Sequence, residues 1–164
     1  MGQYNANSTN SKNFSLISDN EKIGELIYKK WYSFDAEILM TDGKKYQLEP
    51  KGFWDSKIEL KEQNETLLEF KMGWKGILIT TYFDKKEKHY LLKLKGLLSS
   101  KYILLNNDNE ELMVVETKFK WTKLNFDYNI ETTQNFDHLD NEKLLVLTVL
   151  HCINYYMTVI AATV

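Results

Sequence analysis

The sequence contains no arginine: all 21 basic residues are lysines, set against 23 acidic residues, for a formal net charge of −2. Arginine supplies the planar fork that binds a carboxylate or phosphate through two hydrogen bonds at once. Any anion site in this protein must therefore use lysine charges or backbone N–H groups. The small acidic excess also argues against a nucleic-acid-binding protein, because such domains usually carry a strong basic excess.

Cysteine and proline each occur once. Cys152 cannot form an intramolecular disulfide, so nothing indicates an oxidising compartment. Pro50 is expected at the end or edge of a strand, because it cannot donate a hydrogen bond to a sheet. The opening residues MGQYNANSTNSKNFS lack the basic region and apolar core of a signal peptide, so we expect a cytoplasmic protein. We expect residues 1–20 to form a polar tail, disordered or loosely attached, before a single domain at 21–164.

Between about residues 25 and 133 the sequence reads as one short strand after another. Runs such as ELIYKKWYSF, TLLEFKMGW and ELMVVETKF are separated by turn signals, among them Asp42-Gly43, and Gly73 and Gly76 on either side of Trp74. The connections are too short for crossover helices, so neighbouring strands must pair antiparallel. The predicted fold is mainly β, with roughly twelve antiparallel strands.

The chain after Lys143 has no charged residue. Residues 144–164 are long enough, as a helix, to cross a bilayer. However, polar side chains lie in the middle of this run, including Asn154, Tyr155 and Tyr156. Twelve strands tilted by about 40° close into a barrel of roughly 12 Å radius, which one helix can fill. We therefore predict a closed barrel that encloses a hydrophobic C-terminal α-helix at about residues 141–164, with a membrane tail anchor as the alternative.

No catalytic or metal-binding constellation is evident from the sequence. His89, His138 and His151 are far apart and show no chelating spacing. His151 and Cys152 are adjacent, so they diverge by about 100° on a helix and pack in a core more readily than they share a metal. We expect no enzymatic activity, no metal and no cofactor.

The candidate site is the stretch KFKWTK. In a strand, Lys118 and Lys120 project to one face and Phe119 and Trp121 to the other. Two such lysines would attract acidic lipid headgroups at about 1 kcal/mol each. The alternative explanation is an ordinary barrel strand, with its aromatic residues inward and its lysines in water.

The order of elements resembles the tubby C-terminal-like superfamily, which includes the LURP-one-related proteins and the phospholipid scramblases. The resemblance covers residues 25–164 and rests on the runs YSFDAEILMTDGKKYQLEPKGFWDSKIEL, LLEFKMGW and FKW and on the final helix. It implies a closed barrel threaded by that helix and, as in several members, binding to lipid or to a membrane surface.

We therefore expect a non-enzymatic binding or tethering module whose partner is an acidic phospholipid or membrane surface. Two other functions remain open at the level of sequence. One is a tail-anchored membrane protein that presents a β-domain to the cytoplasm, and the other is a lipocalin-like carrier of a small apolar ligand.

Overall fold

The computed structural model describes residues 1–9, 13–30, 33–52, 57–96, 99–120 and 125–161, and for residues 120, 125, 160 and 161 it describes the backbone alone. The strands are β1 (Gln3–Ser8), β2 (Phe14–Ser18), β3 (Glu21–Tyr28), β4 (Ala36–Met40), β5 (Lys45–Lys51), β6 (Lys57–Glu62), β7 (Glu65–Gly73), β8 (Gly76–Thr81), β9 (Lys88–Leu94), β10 (Lys101–Leu105), β11 (Glu111–Lys120) and β12 (Asn125–Thr132). Each strand pairs antiparallel with its neighbours in sequence, and β1 pairs with β12 to close the barrel. The predicted closed barrel of about twelve antiparallel strands is confirmed.

The side chains alternate between an inner and an outer face along the strands. In β7, Leu68 and Phe70 are buried, while Lys71 is exposed on the outside. The same two-residue period in the other strands gathers the inward side chains into one hydrophobic core. This alternation decides which side chains remain available for binding outside the barrel.

The tail predicted for residues 1–20 is wrong, because this segment holds β1 and β2. Every second residue of β1 is buried, namely Tyr4, Ala6 and Ser8. Ala6 pairs with Tyr128 of β12 on one side and with Leu16 of β2 on the other. The polar residues between them face outward, so a polar composition is compatible with a strand whose inner face is small or apolar.

The predicted turns lie where the sequence places them. Asp42 and Gly43 join β4 to β5, and Gly43 has a φ of 89°, a value that suits glycine. Gly73 pairs with Gly76 across the β7–β8 hairpin. Pro50 is the next-to-last residue of β5, so it lies near a strand end. Short turn signals in the sequence therefore predicted the positions of these hairpins correctly.

Two helices follow the barrel strands: α1 (Gln134–Asp137) and α2 (Glu142–Ala161). The start of α2 is close to the predicted residue 141, and the carbonyl of Asn141 accepts a hydrogen bond from the N–H of Leu145 at 3.0 Å. Ten consecutive residues of α2, 144–153, are each exposed by 2% or less. Among the residues that the structure describes, no helix is both long enough and apolar enough to span a membrane.

Candidate functional site

The two lysines predicted from the sequence lie at the end of β11. Lys118 is exposed on the outer face, directly opposite Asp127 of β12. The side chain of Lys120, like Trp121, lies outside the described residues. Phe119 occupies an inward-facing position, as predicted for an ordinary barrel strand, but it is 42% exposed because it lies near the end of β11. Its ring packs on that of Phe126, with 5.1 Å between the ring centroids.

Lysines and carboxylates alternate and pair closely on the outer face of β5, β6 and β7. The Nζ atom of Lys57 lies 2.8 Å from Oε1 of Glu59 and 3.0 Å from Oε2 of Glu69. Lys61 joins Glu59 to Glu49 in the same way, at 3.3 and 3.4 Å. The hydrogen bond from Lys57 lowers the pKa of Glu59. The lysines on this side of the barrel are therefore compensated by carboxylates.

The neighbouring part of the barrel is different, because residues 70–83 and 88–107 contain six of the 21 lysines and none of the 23 acidic residues. These stretches include the end of β7 and the adjacent strands β8, β9 and β10. We call the outer face of this region, including the β7–β8 turn, the basic sector. Lys71, Lys75 and Lys93 in this sector make no ion pair with any carboxylate in the described part of the chain.

The strand register places these three lysines around one hairpin. Lys71 of β7 lies opposite Leu78 of β8, and Lys75 belongs to the turn itself. Lys93 of β9 lies beside Gly76, where an added Cβ would be 3.0 Å from the Cβ of Lys93. Adjacent strands are about 5 Å apart, so the three charges are within roughly 10–15 Å of one another. Their uncompensated charge makes this hairpin a candidate site for an anion.

Trp74 is the other prominent feature of the hairpin. Its side chain is fully exposed, with a relative accessibility of 107%. Leu78 is 44% exposed, and it lies over Gly73, where an added Cβ would be 3.4 Å from the Leu78 side chain. The sequence predicted the turn but not a role for Trp74. The available signals were a tryptophan between two turn glycines and the acid-free stretches around it.

The polar residues of α2 form a hydrogen-bonded network inside the protein. The hydroxyl of Tyr128 donates to Oδ1 of Asn154, and Nδ2 of Asn154 donates to the hydroxyl of Tyr28 at 3.0 Å. The Tyr28 hydroxyl lies 2.9 Å from Nδ1 of His151. His151 is fully buried, and the loss of water lowers its pKa to about 3. As predicted, His151 is a core residue.

The remaining histidines line a groove at the end of the barrel opposite the β7–β8 turn. His89 and His138 border it together with Asp108 and Glu110. Both ring nitrogens of His89 already have neighbours, Oγ1 of Thr80 at 3.2 Å and a Glu87 oxygen at 3.1 Å. No group of three or more potential metal ligands was found among the residues that the structure describes.

Comparison with known proteins gives no relative: no family model, no curated protein and no solved structure matches this chain. The resemblance to the tubby C-terminal-like superfamily therefore stays a prediction. It rests on the order of elements and on the sequence runs quoted above.

Proposed function

We propose that this protein is a non-enzymatic module that binds membrane surfaces containing acidic phospholipid, as the tubby-like resemblance implies. The observation that carries the proposal is the segregation of charge. The basic sector contains no acidic residue of its own, and three of its six lysines, Lys71, Lys75 and Lys93, make no ion pair with a described carboxylate, although the chain as a whole is slightly acidic. Each lysine close to an anionic membrane contributes about 1 kcal/mol, so three unpaired lysines would strengthen binding by roughly 100-fold.

We also propose that α2 lies along the axis of the barrel. A helix presents all its sides within 3.6 residues, so ten consecutive buried residues must be covered on every side. Partners of α2 lie on four strands distributed around the ring. They are Tyr28 of β3, Phe70 of β7, Tyr102 of β10 and Tyr128 of β12.

An axial helix has consequences for the other candidate functions. A lipocalin-like carrier needs a vacant interior, whereas here the inward strand residues and α2 belong to one hydrophobic core. A tail anchor would have to transfer His151 and Asn154 to lipid, away from their hydrogen-bond partner Tyr28. Binding is therefore assigned to the outside of the barrel.

The membrane proposal is tested by sedimentation with vesicles. The full chain should bind vesicles made of equal parts phosphatidylserine and phosphatidylcholine, and the affinity should fall as salt is added. Changing Lys71, Lys75 and Lys93 together to Gln should weaken binding by about 100-fold. Absence of binding to these vesicles at low salt would contradict the proposal.

The matched control removes the same charge from the other side of the barrel. Lys22, Lys44 and Lys45 lie in or beside β3 and β5, and all three are exposed. Their combined change to Gln should reduce affinity by much less than the first triple substitution. Equal losses for the two variants would show that overall charge, not the basic sector, controls binding.

The axial position of α2 is tested by a chain that stops after Asp140. This truncation removes all of α2, so the barrel would lose the side chains that fill it. We expect it to unfold or aggregate, whereas the full chain unfolds cooperatively. A truncated chain that is soluble and unfolds cooperatively would contradict the axial helix.

A further inference from the structure

The β7–β8 hairpin carries a side chain that folding does not require. Trp74 is fully exposed, so it adds nothing to the hydrophobic core. It occupies a two-residue turn, with Lys75, between Gly73 and Gly76. Asn, Asp and Gly are the residues that such turns ordinarily favour. The presence of the largest side chain at this tip is therefore better explained by something that it contacts outside the protein.

The surroundings of Trp74 indicate the chemistry of that contact. Tryptophan is enriched at membrane interfaces, because its ring is apolar and its N–H still reaches polar groups. Leu78 adds apolar surface directly behind the turn. Lys71, Lys75 and Lys93 surround this apolar tip with positive charge that has no partner in the described ranges. An apolar tip within a cationic rim is complementary to an anionic bilayer surface.

We propose, on the basis of the membrane-binding function above, that Trp74 is the interfacial anchor of this protein. Its ring enters the headgroup region of a bilayer that contains acidic phospholipid, and Leu78 follows it. The three lysines bind lipid phosphates around the inserted tip. Electrostatic attraction therefore brings the protein to the surface, and insertion of Trp74 holds it there.

The anchor also fixes how the barrel is oriented on the membrane. In an antiparallel barrel, β7, β9 and β11 run in the same direction, so they end at the same end of the barrel as the Trp74 turn. Lys118, near the end of β11, is at that end. The groove that includes His89 and His138 lies at the opposite end and faces away from the bilayer.

The test compares Trp74→Ala and Trp74→Phe with the full chain on phosphatidylserine-containing vesicles. About half of an aromatic side chain's surface would be buried, so loss of the ring in Trp74→Ala should weaken binding roughly 10- to 100-fold. On vesicle binding, the tryptophan fluorescence of the full chain should shift to the blue and be quenched by brominated lipid. The Trp74→Phe variant retains the other three tryptophans and should lose most of that response.

A matched control moves the tryptophan to the opposite end of the barrel. Gln63 and Asn64 form the two-residue turn between β6 and β7, at the other end from Trp74. A chain with both Trp74→Ala and Asn64→Trp keeps four tryptophans but should not recover vesicle affinity. Recovery would show that any exposed tryptophan suffices and would overturn the proposed anchor.

The outcomes separate this inference from the function on which it rests. Binding by the full chain, with an unchanged affinity in Trp74→Ala and no fluorescence change that depends on Trp74, would overturn the anchor and leave the basic sector in place. Absence of binding by the full chain would overturn both. Trp74→Ala should unfold at the same urea concentration as the full chain, since its side chain makes no core contact.

Discussion

Burial of His151 should make the protein's stability fall steeply in mild acid. The ordinary pKa of 6.5 is lowered to about 3 in the folded protein, because the fully buried ring cannot be charged without losing water. Between these two values the unfolded chain binds a proton that the folded chain does not, so acid favours unfolding. The stability present above about pH 6.5 is thus lost progressively toward pH 3.

The size of this loss follows from the same two pKa values. The linkage between proton binding and unfolding lowers the free energy of unfolding by about 2 kcal/mol from pH 7 to pH 5. Near pH 5 the slope of this loss approaches about 1.4 kcal/mol per pH unit. Glu37, Glu49 and Glu59 do not interfere there, because their hydrogen bonds lower their pKa values from 4.5. Their stabilising contributions are lost only at lower pH.

Urea unfolding, followed by tryptophan fluorescence at several pH values between 7 and 5, measures this slope. His151→Asn cannot titrate and should give a nearly flat profile, whatever its stability at pH 7. The control His89→Asn replaces a half-exposed histidine outside the core, so the loss of stability that the buried His151 ring causes should persist in it. Equal stability of the unmodified chain at pH 7 and pH 5, or an equally steep profile for His151→Asn, would refute the reasoning.

Three further substitutions, one of them with a matched control, test the packing by urea unfolding. Gly76→Ala should lose about 2–3 kcal/mol, because residue 76 has a φ of 142° and the new Cβ would lie 2.2 Å from the carbonyl oxygen of Leu92; an unchanged stability would contradict this close approach. Leu147→Ala, in the fully buried part of α2, should lose about 2–5 kcal/mol, while Leu78→Ala on the outer face should stay within about 0.5 kcal/mol. Ala6→Asp places a carboxylate at a fully buried position of β1 and should lower the free energy of unfolding by about 3 kcal/mol or more. An unchanged stability would instead support the loose tail that the sequence predicted for residues 1–20.

Most of the barrel could be predicted because its signals are local. The turn at Asp42-Gly43 and the glycines around Trp74 mark hairpins by their backbone preferences. The uncharged run after Lys143 likewise marked α2, which ends at Ala161 within the described chain. Each of these features depends only on residues that are close together in the sequence, so the sequence alone is enough to predict it.

The parts that were missed depend on pairing across the barrel. β1 looks polar, and its inner face becomes apparent only when Ala6 lies between Leu16 and Tyr128. The charge around Lys118 likewise depends on Asp127, which the register of β11 and β12 places opposite it. The acid-free stretches of the basic sector were visible in the sequence, but their significance depends on β8, β9 and β10 being adjacent strands.

The reactivity of Cys152 tests the axial helix most directly. This residue is the only cysteine in the chain, lies in the middle of α2, and is fully buried, which raises the pKa of its thiol. Trp74→Cys supplies an internal standard, because the new thiol in the exposed turn should react at once with a thiol reagent.

In buffer without detergent or lipid, we expect Cys152 in the folded protein to react at least about 1000-fold more slowly than in urea, because access requires unfolding. Reaction of Cys152 in the folded protein at the rate of the exposed turn thiol would contradict a barrel that is filled by its own C-terminal helix.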